Sequence, residues 1–170
     1  FLRMTENDAW RHIYKVDLVS GEQTLVTPYD YDVASMRTAT KKNIYYIASP
    51  ENSTQRYLYQ TDLDGKANQK RLTPKEYSGV NNYNISPNGK YAIHSHENVN
   101  TPRTVRFIRL PDHKSLGTLV DNDDYKQKLK TLYLPDVKFS KVTTADGVEI
   151  DVRMIYPDNF DLNKKYPVLF

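Results

Sequence analysis

One eight-residue motif recurs three times, and the spacing of its copies limits the folds open to this chain. Arg11-His12-Ile13-Tyr14-Lys15-Val16-Asp17-Leu18 aligns with Arg56-Tyr57-Leu58-Tyr59-Gln60-Thr61-Asp62-Leu63, 45 residues on. A third copy, Arg103-Thr104-Val105-Arg106-Phe107-Ile108-Arg109-Leu110, follows after 47 more. Each copy leads through a polar turn to a short segment carrying Leu: Leu25-Val26-Thr27-Pro28, Arg71-Leu72-Thr73-Pro74 and Gly117-Thr118-Leu119-Val120. Each is preceded by a β-prone run, at 1–5, 43–48 and 90–95. Residues 32–36 and 79–85 add a further strand before the second and third copies. A period of about 40–50 residues made of four short strands marks β-propeller blades. The spacing therefore predicts an all-β partial propeller of about three four-stranded blades, ending near Val120.

Composition and turn chemistry agree. The chain holds 14 Tyr against 5 Phe and 6 Gly, and Tyr, with an apolar body and polar tip, suits half-buried strands. Ser86-Pro87-Asn88-Gly89-Lys90 predicts an Asn-Gly hairpin with positive φ at both turn residues. Ser20-Gly21 and Asp64-Gly65 mark the loops after the third strands.

Past Val120 the pattern changes. Residues 121–130 predict a short helix, with acids at its start and lysines at its end to match the helix dipole. Strands are expected at 137–142 and 148–156, joined by the turn Thr144-Ala145-Asp146-Gly147, and a third begins at Tyr166-Pro167-Val168-Leu169-Phe170. The expected organisation is thus blades over 1–121, a linker with a short helix over 122–136, and a second β region over 137–170. A chain that opens at Phe1 and stops within a strand-like run is expected to be a piece of something longer.

Several function classes fall away. With no cysteine there is no disulfide, thiolate nucleophile or Cys-held metal. The formal charge of +3 is dispersed, and the dense runs Lys126-Gln127-Lys128-Leu129-Lys130 and Lys164-Lys165 are too short to argue for nucleic acid. No apolar run approaches the ~18 residues of a membrane span, and Phe1-Leu2-Arg3-Met4-Thr5-Glu6 lacks the make-up of a signal peptide.

The candidate sites each have a plainer structural reading. His94 and His96 lie two apart on a strand and share a face, so they could hold a metal with His12 or His113. Such pairs are more often structural, and no metal or cofactor is expected. Asp121-Asn122-Asp123-Asp124 lacks the Gly and terminal Glu of a calcium loop and reads as a helix cap. Asp17 and Asp62 hold equivalent repeat positions, which suits loop anchoring rather than an acid pair. Trp10 with Arg11 and His12 could form a recognition surface, against the alternative that Trp10 packs on a neighbouring sheet. Asn52-Ser53-Thr54 and Asn84-Ile85-Ser86 fit the glycosylation sequon.

The stretch Thr144-Ala145-Asp146-Gly147-Val148-Glu149-Ile150, then Tyr156-Pro157-Asp158-Asn159-Phe160-Asp161, then Lys164-Lys165-Tyr166-Pro167-Val168-Leu169 resembles the entry into the catalytic domain of prolyl oligopeptidase family serine peptidases. Glu6-Asn7-Asp8-Ala9-Trp10-Arg11-His12-Ile13-Tyr14 resembles the late propeller of the dipeptidyl peptidase IV branch. The resemblance implies an eight-bladed propeller followed by an α/β-hydrolase domain, whose first strands would be residues 137–170. It implies peptide substrates cut after an N-terminal Xaa-Pro or Xaa-Ala, a homodimer, and a periplasmic or extracellular protein.

The family's nucleophile sits in Gly-x-Ser-x-Gly, and no Ser here is flanked by Gly at that spacing. The triad Asp and His follow that Ser in chain order, and the family's paired glutamates lie in an earlier blade. The resemblance thus carries no catalytic or substrate-binding residue onto this chain, which is expected to be inactive alone. A non-catalytic binding propeller, or a prolyl tripeptidyl or acylaminoacyl peptidase, are the alternatives.

Overall fold

The structure, a computed structural model, describes residues 1–66, 68–135 and 137–169. The chain divides into two compact units, Phe1–Asp123 and Asp124–Phe170. The first unit carries three antiparallel sheets, each a simple meander in chain order. The first sheet contains β1 (Leu2–Thr5), β2 (His12–Val16) and β3 (Gln23–Leu25). The second contains β4 (Val33–Ala39), β5 (Asn43–Ala48), β6 (Tyr57–Asp62) and β7 (Lys70–Arg71). The third contains β8 (Val80–Ile85), β9 (Tyr91–Asn98), β10 (Thr101–Arg109) and β11 (Lys114–Val120).

The strands record their place in the stack in their own sequences. β5, Asn-Ile-Tyr-Tyr-Ile-Ala, is apolar almost throughout, and every residue after Asn43 is buried. Successive side chains of a strand point to opposite faces. Ile44, Tyr46 and Ala48 accordingly join one core with Ile13, Val26 and Val33, towards the first sheet. Tyr45 and Ile47 join a second core with Tyr83, Ala92 and Ile108, towards the third. β6 divides the same way, Tyr57 and Tyr59 to the first core and Leu58 to the second. β9 buries Ala92, His94 and His96 and leaves Tyr91, Ile93 and Glu97 exposed. A sheet covered on both faces reads as a continuous apolar run, and one covered on a single face alternates.

The repeated motif also explains how the sheets join. The carbonyl of Arg11 accepts from the amide of Val33 at 2.8 Å, and that of Arg56 from the amide of Asn81 at 3.1 Å. The first motif residue therefore docks the opening strand of the next sheet. The two Thr-Pro pairs follow the last strand of the first two sheets and tie back to the strand before it: Thr27 Oγ1 accepts from Ile13 N at 2.9 Å and Thr73 Oγ1 from Leu58 N at 2.7 Å. Both threonines are buried, and the prolines that follow cannot donate to a ladder. Thr73→Val keeps the shape and strands the buried Leu58 N–H. We expect it to lower unfolding free energy by about 2 kcal/mol in chemical denaturation, whereas a loss under 0.5 kcal/mol would show that the hydroxyl is dispensable.

The turn at 86–90 differs from the expected double positive-φ hairpin. Only Gly89 has positive φ, +70°. Pro87 holds its own φ near −65° and favours a type I turn. Gly89 N then donates to Ser86 O at 2.8 Å, and Asn88 instead accepts from Lys90 N with its side chain at 3.0 Å.

The second unit contains most of α1 (Asp123–Lys130) and a two-stranded sheet of β12 (Val137–Thr143) and β13 (Glu149–Ile155), paired from Val137↔Ile155 to Thr143↔Glu149. Their turn closes by Gly147 N donating to Thr144 O at 3.0 Å. Asp121 Oδ1 accepts from Asp123 N at 3.2 Å where α1 begins, and Lys128 and Lys130 occupy its last turn. The expected strand from Tyr166 is a correction: residues 166–169 are unpaired. A strand exists only through a hydrogen-bonded neighbour, and none lies beside this run among the described residues. Tyr166 packs instead on Phe160 at 5.1 Å. Phe170, the end of that expected strand, and Asp136, the end of the expected linker, lie outside the described residues. Among the described residues no helix is long and apolar enough to cross a membrane.

Candidate functional site

Three of the four histidines meet at the seam between the second and third sheets. His94 and His96 project from β9 to its buried face, and His113 reaches the same place from the turn after β10. His94 is fully buried, its ring stacked on Tyr83 at 4.5 Å and set edge-on to His113 at 4.7 Å. Tyr77, from the connection between β7 and β8, fills the space they surround. Its ring lies 5.1 Å from that of His94, 5.3 Å from His96 and 5.2 Å from His113.

His94 and His96 spend their Nε2 atoms on hydrogen bonds within the fold. His94 Nε2 bonds Asn81 Oδ1 at 2.8 Å, and His96 Nε2 donates to Ser78 O at 2.8 Å. His12 is elsewhere, in the first sheet, bonded to Asp8 at 2.9 Å and to Tyr29 O at 2.7 Å. Among the described residues no three His, Asp or Glu side chains are placed to hold a metal.

The bonds assign the protons. Asn81 Nδ2 donates to Tyr77 O at 2.8 Å and to Arg56 O at 3.0 Å, so its Oδ1 must be the acceptor facing His94. His94 therefore carries its proton on Nε2. Its Nδ1 is buried and has no hydrogen-bond partner. Burial first, then the nearby His113, His96 and Arg106, press the His94 pKa down to about 3. Burial likewise lowers that of His113, whose Nε2 bonds the Tyr83 hydroxyl at 2.9 Å. That hydroxyl continues to Thr73 Oγ1 at 2.9 Å, linking the histidines to the strand cap of the second sheet.

A separate open groove of about 370 Å³ runs beside β4 and β8, which open their sheets and lie at one edge of the stack. In a propeller that edge lines the channel. Arg37, Asn82, Asn84, Ser95 and Arg103 border the groove. Arg103 reaches Ser95 Oγ at 3.4 Å, and neither arginine has a carboxylate partner among the described residues. Two such guanidinium groups can donate to carbonyl or carboxylate oxygens of a passing chain.

The remaining sequence candidates stay local. Asp17 Oδ1 accepts from Val19 N and Ser20 N, both at 2.8 Å, and those amides hold its pKa below the ordinary carboxylate value. Asp62 binds the side chains of Asn43 and Asn68. The two aspartates serve different sheets and form no acid pair. Trp10 is 39% exposed at the β1–β2 turn, beside Arg11, which pairs with Glu6 at 3.7 Å. Asn52 folds back on Thr54, and Asn84 borders the groove. Tyr77, Asn81 and Arg37 went unnoticed in the sequence, because nothing local marks a loop Tyr or a strand Asn as a partner of distant histidines.

Stacked antiparallel meanders, each docked on the last by its opening strand, define the first unit as part of a β-propeller. A family model described as the dipeptidyl peptidase IV (DPP IV) N-terminal region matches residues 1–103. The chain belongs to that family. Over its whole length it is 30% identical to dipeptidyl peptidase 4 of Trichophyton rubrum and 28% identical to that of Arthroderma otae. It spans 22% of the length of each. The crystal structure of Porphyromonas gingivalis dipeptidyl peptidase 4 superposes with a TM-score of 0.87 at 26% identity, covering 98% of this chain and 23% of that one. A putative dipeptidyl aminopeptidase IV from Bacteroides ovatus gives 0.73 at 17% identity over 98% of this chain and 26% of that one, a likeness of fold.

Proposed function

We propose that this chain is the closing part of the propeller, and the entry into the hydrolase domain, of a serine-type dipeptidyl peptidase. The whole protein removes Xaa-Pro or Xaa-Ala dipeptides from peptide N-termini, works in the periplasm or outside the cell, and forms a homodimer. Residues 137–170 contribute the first strands of the hydrolase sheet. The chain itself supplies scaffold and channel wall and holds no catalytic residue. The carrying observation is the collinear match to dipeptidyl peptidase 4 along the entire chain, across both units.

A paired assay tests this. The chain and the whole protein are each given a Gly-Pro chromogenic substrate and a fluorophosphonate probe, which labels activated serines. Turnover and labelling are expected from the whole protein alone. Turnover by the chain, or silence from both, would overturn the proposal.

A further inference from the structure

The histidine seam is built from groups that tolerate no added charge. His94, His96 and His113 surround one aromatic ring, and the guanidinium of Arg106 lies 5.4 Å from that ring's centroid on Tyr77. Arg106 comes from β10 and bonds Thr104 Oγ1 at 2.7 Å. β8 contributes Asn81 and Tyr83, both without charge. From the connection of residues 72–79 come Thr73, Tyr77 and the exposed Glu76. From the turn after β10 comes Asp112, which is already paired with Arg109. Glu76 and Asp112 act on His113 only through space, and no carboxylate bonds any of the three imidazoles among the described residues.

We propose that this seam is an acid-released clasp: neutral His94 and His113 hold residues 72–79 and the third sheet against the second, and protonation lets them go. A proton arriving at His94 must take Nδ1, since Nε2 already donates to Asn81. There it finds no acceptor, and it adds a cation beside Arg106 and His113. A protonated His113 has a donor on both ring nitrogens, so its Nε2 can only donate to the Tyr83 hydroxyl, and a second cation then stands beside His94. The sign follows from the lowered folded pKa. Above about pH 6.5 both states are neutral and the clasp is whole. As pH falls below that value the opened state takes up protons that the closed state refuses, so closure weakens. The loss continues towards pH 3, where His94 itself titrates in the closed fold.

Hydrogen exchange by mass spectrometry on the whole protein, corrected for intrinsic rates, reads the clasp without reference to peptidase activity. Protection of the amides of Leu58, Leu72 and Asn81, all bonded at this seam, is expected to fall about 50-fold between pH 6.5 and 4.5 for His94 alone, the slope approaching tenfold per pH unit as the pH falls. The double variant His94→Gln, His113→Gln should lose most of that slope. Protection that does not change with pH, or an equal slope in the variant, would overturn the proposal. If the variant fails to fold at neutral pH, exchange of the histidine C2 hydrogens in the unaltered protein decides. His94 is expected to show no titration down to pH 4.5, and a midpoint near 6.5 would sink the clasp.

Discussion

Gly79→Ala is expected to lower unfolding free energy by about 4 kcal/mol, a large fraction of the stability of an ordinary folded protein. Gly79 has φ +120°, a region that side chains with a Cβ rarely enter. An added Cβ would stand 2.4 Å from Glu97 O and 2.7 Å from Asn98 Cβ. Both are obstacles with no freedom to swing away, since they sit at the end of β9. The strained backbone contributes about 1–3 kcal/mol and the overlap a similar amount. The position also bears on the joint between sheets: Gly79 O accepts from Arg56 N at 3.0 Å, next to the parallel bridge Arg56↔Val80. Chemical denaturation of the variant checks this, with Gly117→Ala as the comparison. An added Cβ at Gly117 meets nothing within 4 Å, and little change is expected there. Equal stability of the two variants would refute the argument.

Asn81→Leu is the second large effect, about 3 kcal/mol of lost stability. Leu matches Asn in outline but neither donates nor accepts. The side chain of Asn81 is buried and serves Tyr77 O, Arg56 O and His94 Nε2 at once. Arg56 O keeps the backbone amide of residue 81. Tyr77 O and the His94 N–H lose the Asn81 amide, at about 1–3 kcal/mol for each buried group left unpaired. Asn84→Leu, on an exposed face of the same strand, should change stability by less than about 0.5 kcal/mol. A similar small loss at Asn81 would mean that the seam repairs its own hydrogen bonds.

The repeat made most of the first unit legible. Expected runs at 43–48 and 79–85 correspond to β5 (Asn43–Ala48) and β8 (Val80–Ile85). The reason is local: strand propensity, the Thr-Pro stops and the Gly-bearing turns all act within a few residues. Continuous burial of β5 against alternation in β9 was also written in the pattern, although its meaning needed the stack. At 86–90 Pro87 overrides the Asn-Gly signal, and only Gly89 takes positive φ. The run at 166–169 is apolar enough for a strand yet unpaired, because pairing depends on a neighbour and not on the segment's own residues.

The candidate site divides along the same line. Alternation on β9 placed His94 and His96 on one face, since the period of a strand is two. Their number and spacing could not tell a metal pair from packing. Tyr77 and His113, 17 residues before and 19 after His94 in the sequence, decide it. They meet His94 only because the second sheet folds against the third. By itself the sequence determined the all-β architecture, the blade period and the absence of thiol chemistry, because those depend on residue type and local order. The tertiary structure alone decided which buried nitrogen lacks a partner, which glycine admits no Cβ and where two arginines border a groove, because each is a distance between atoms far apart in the chain.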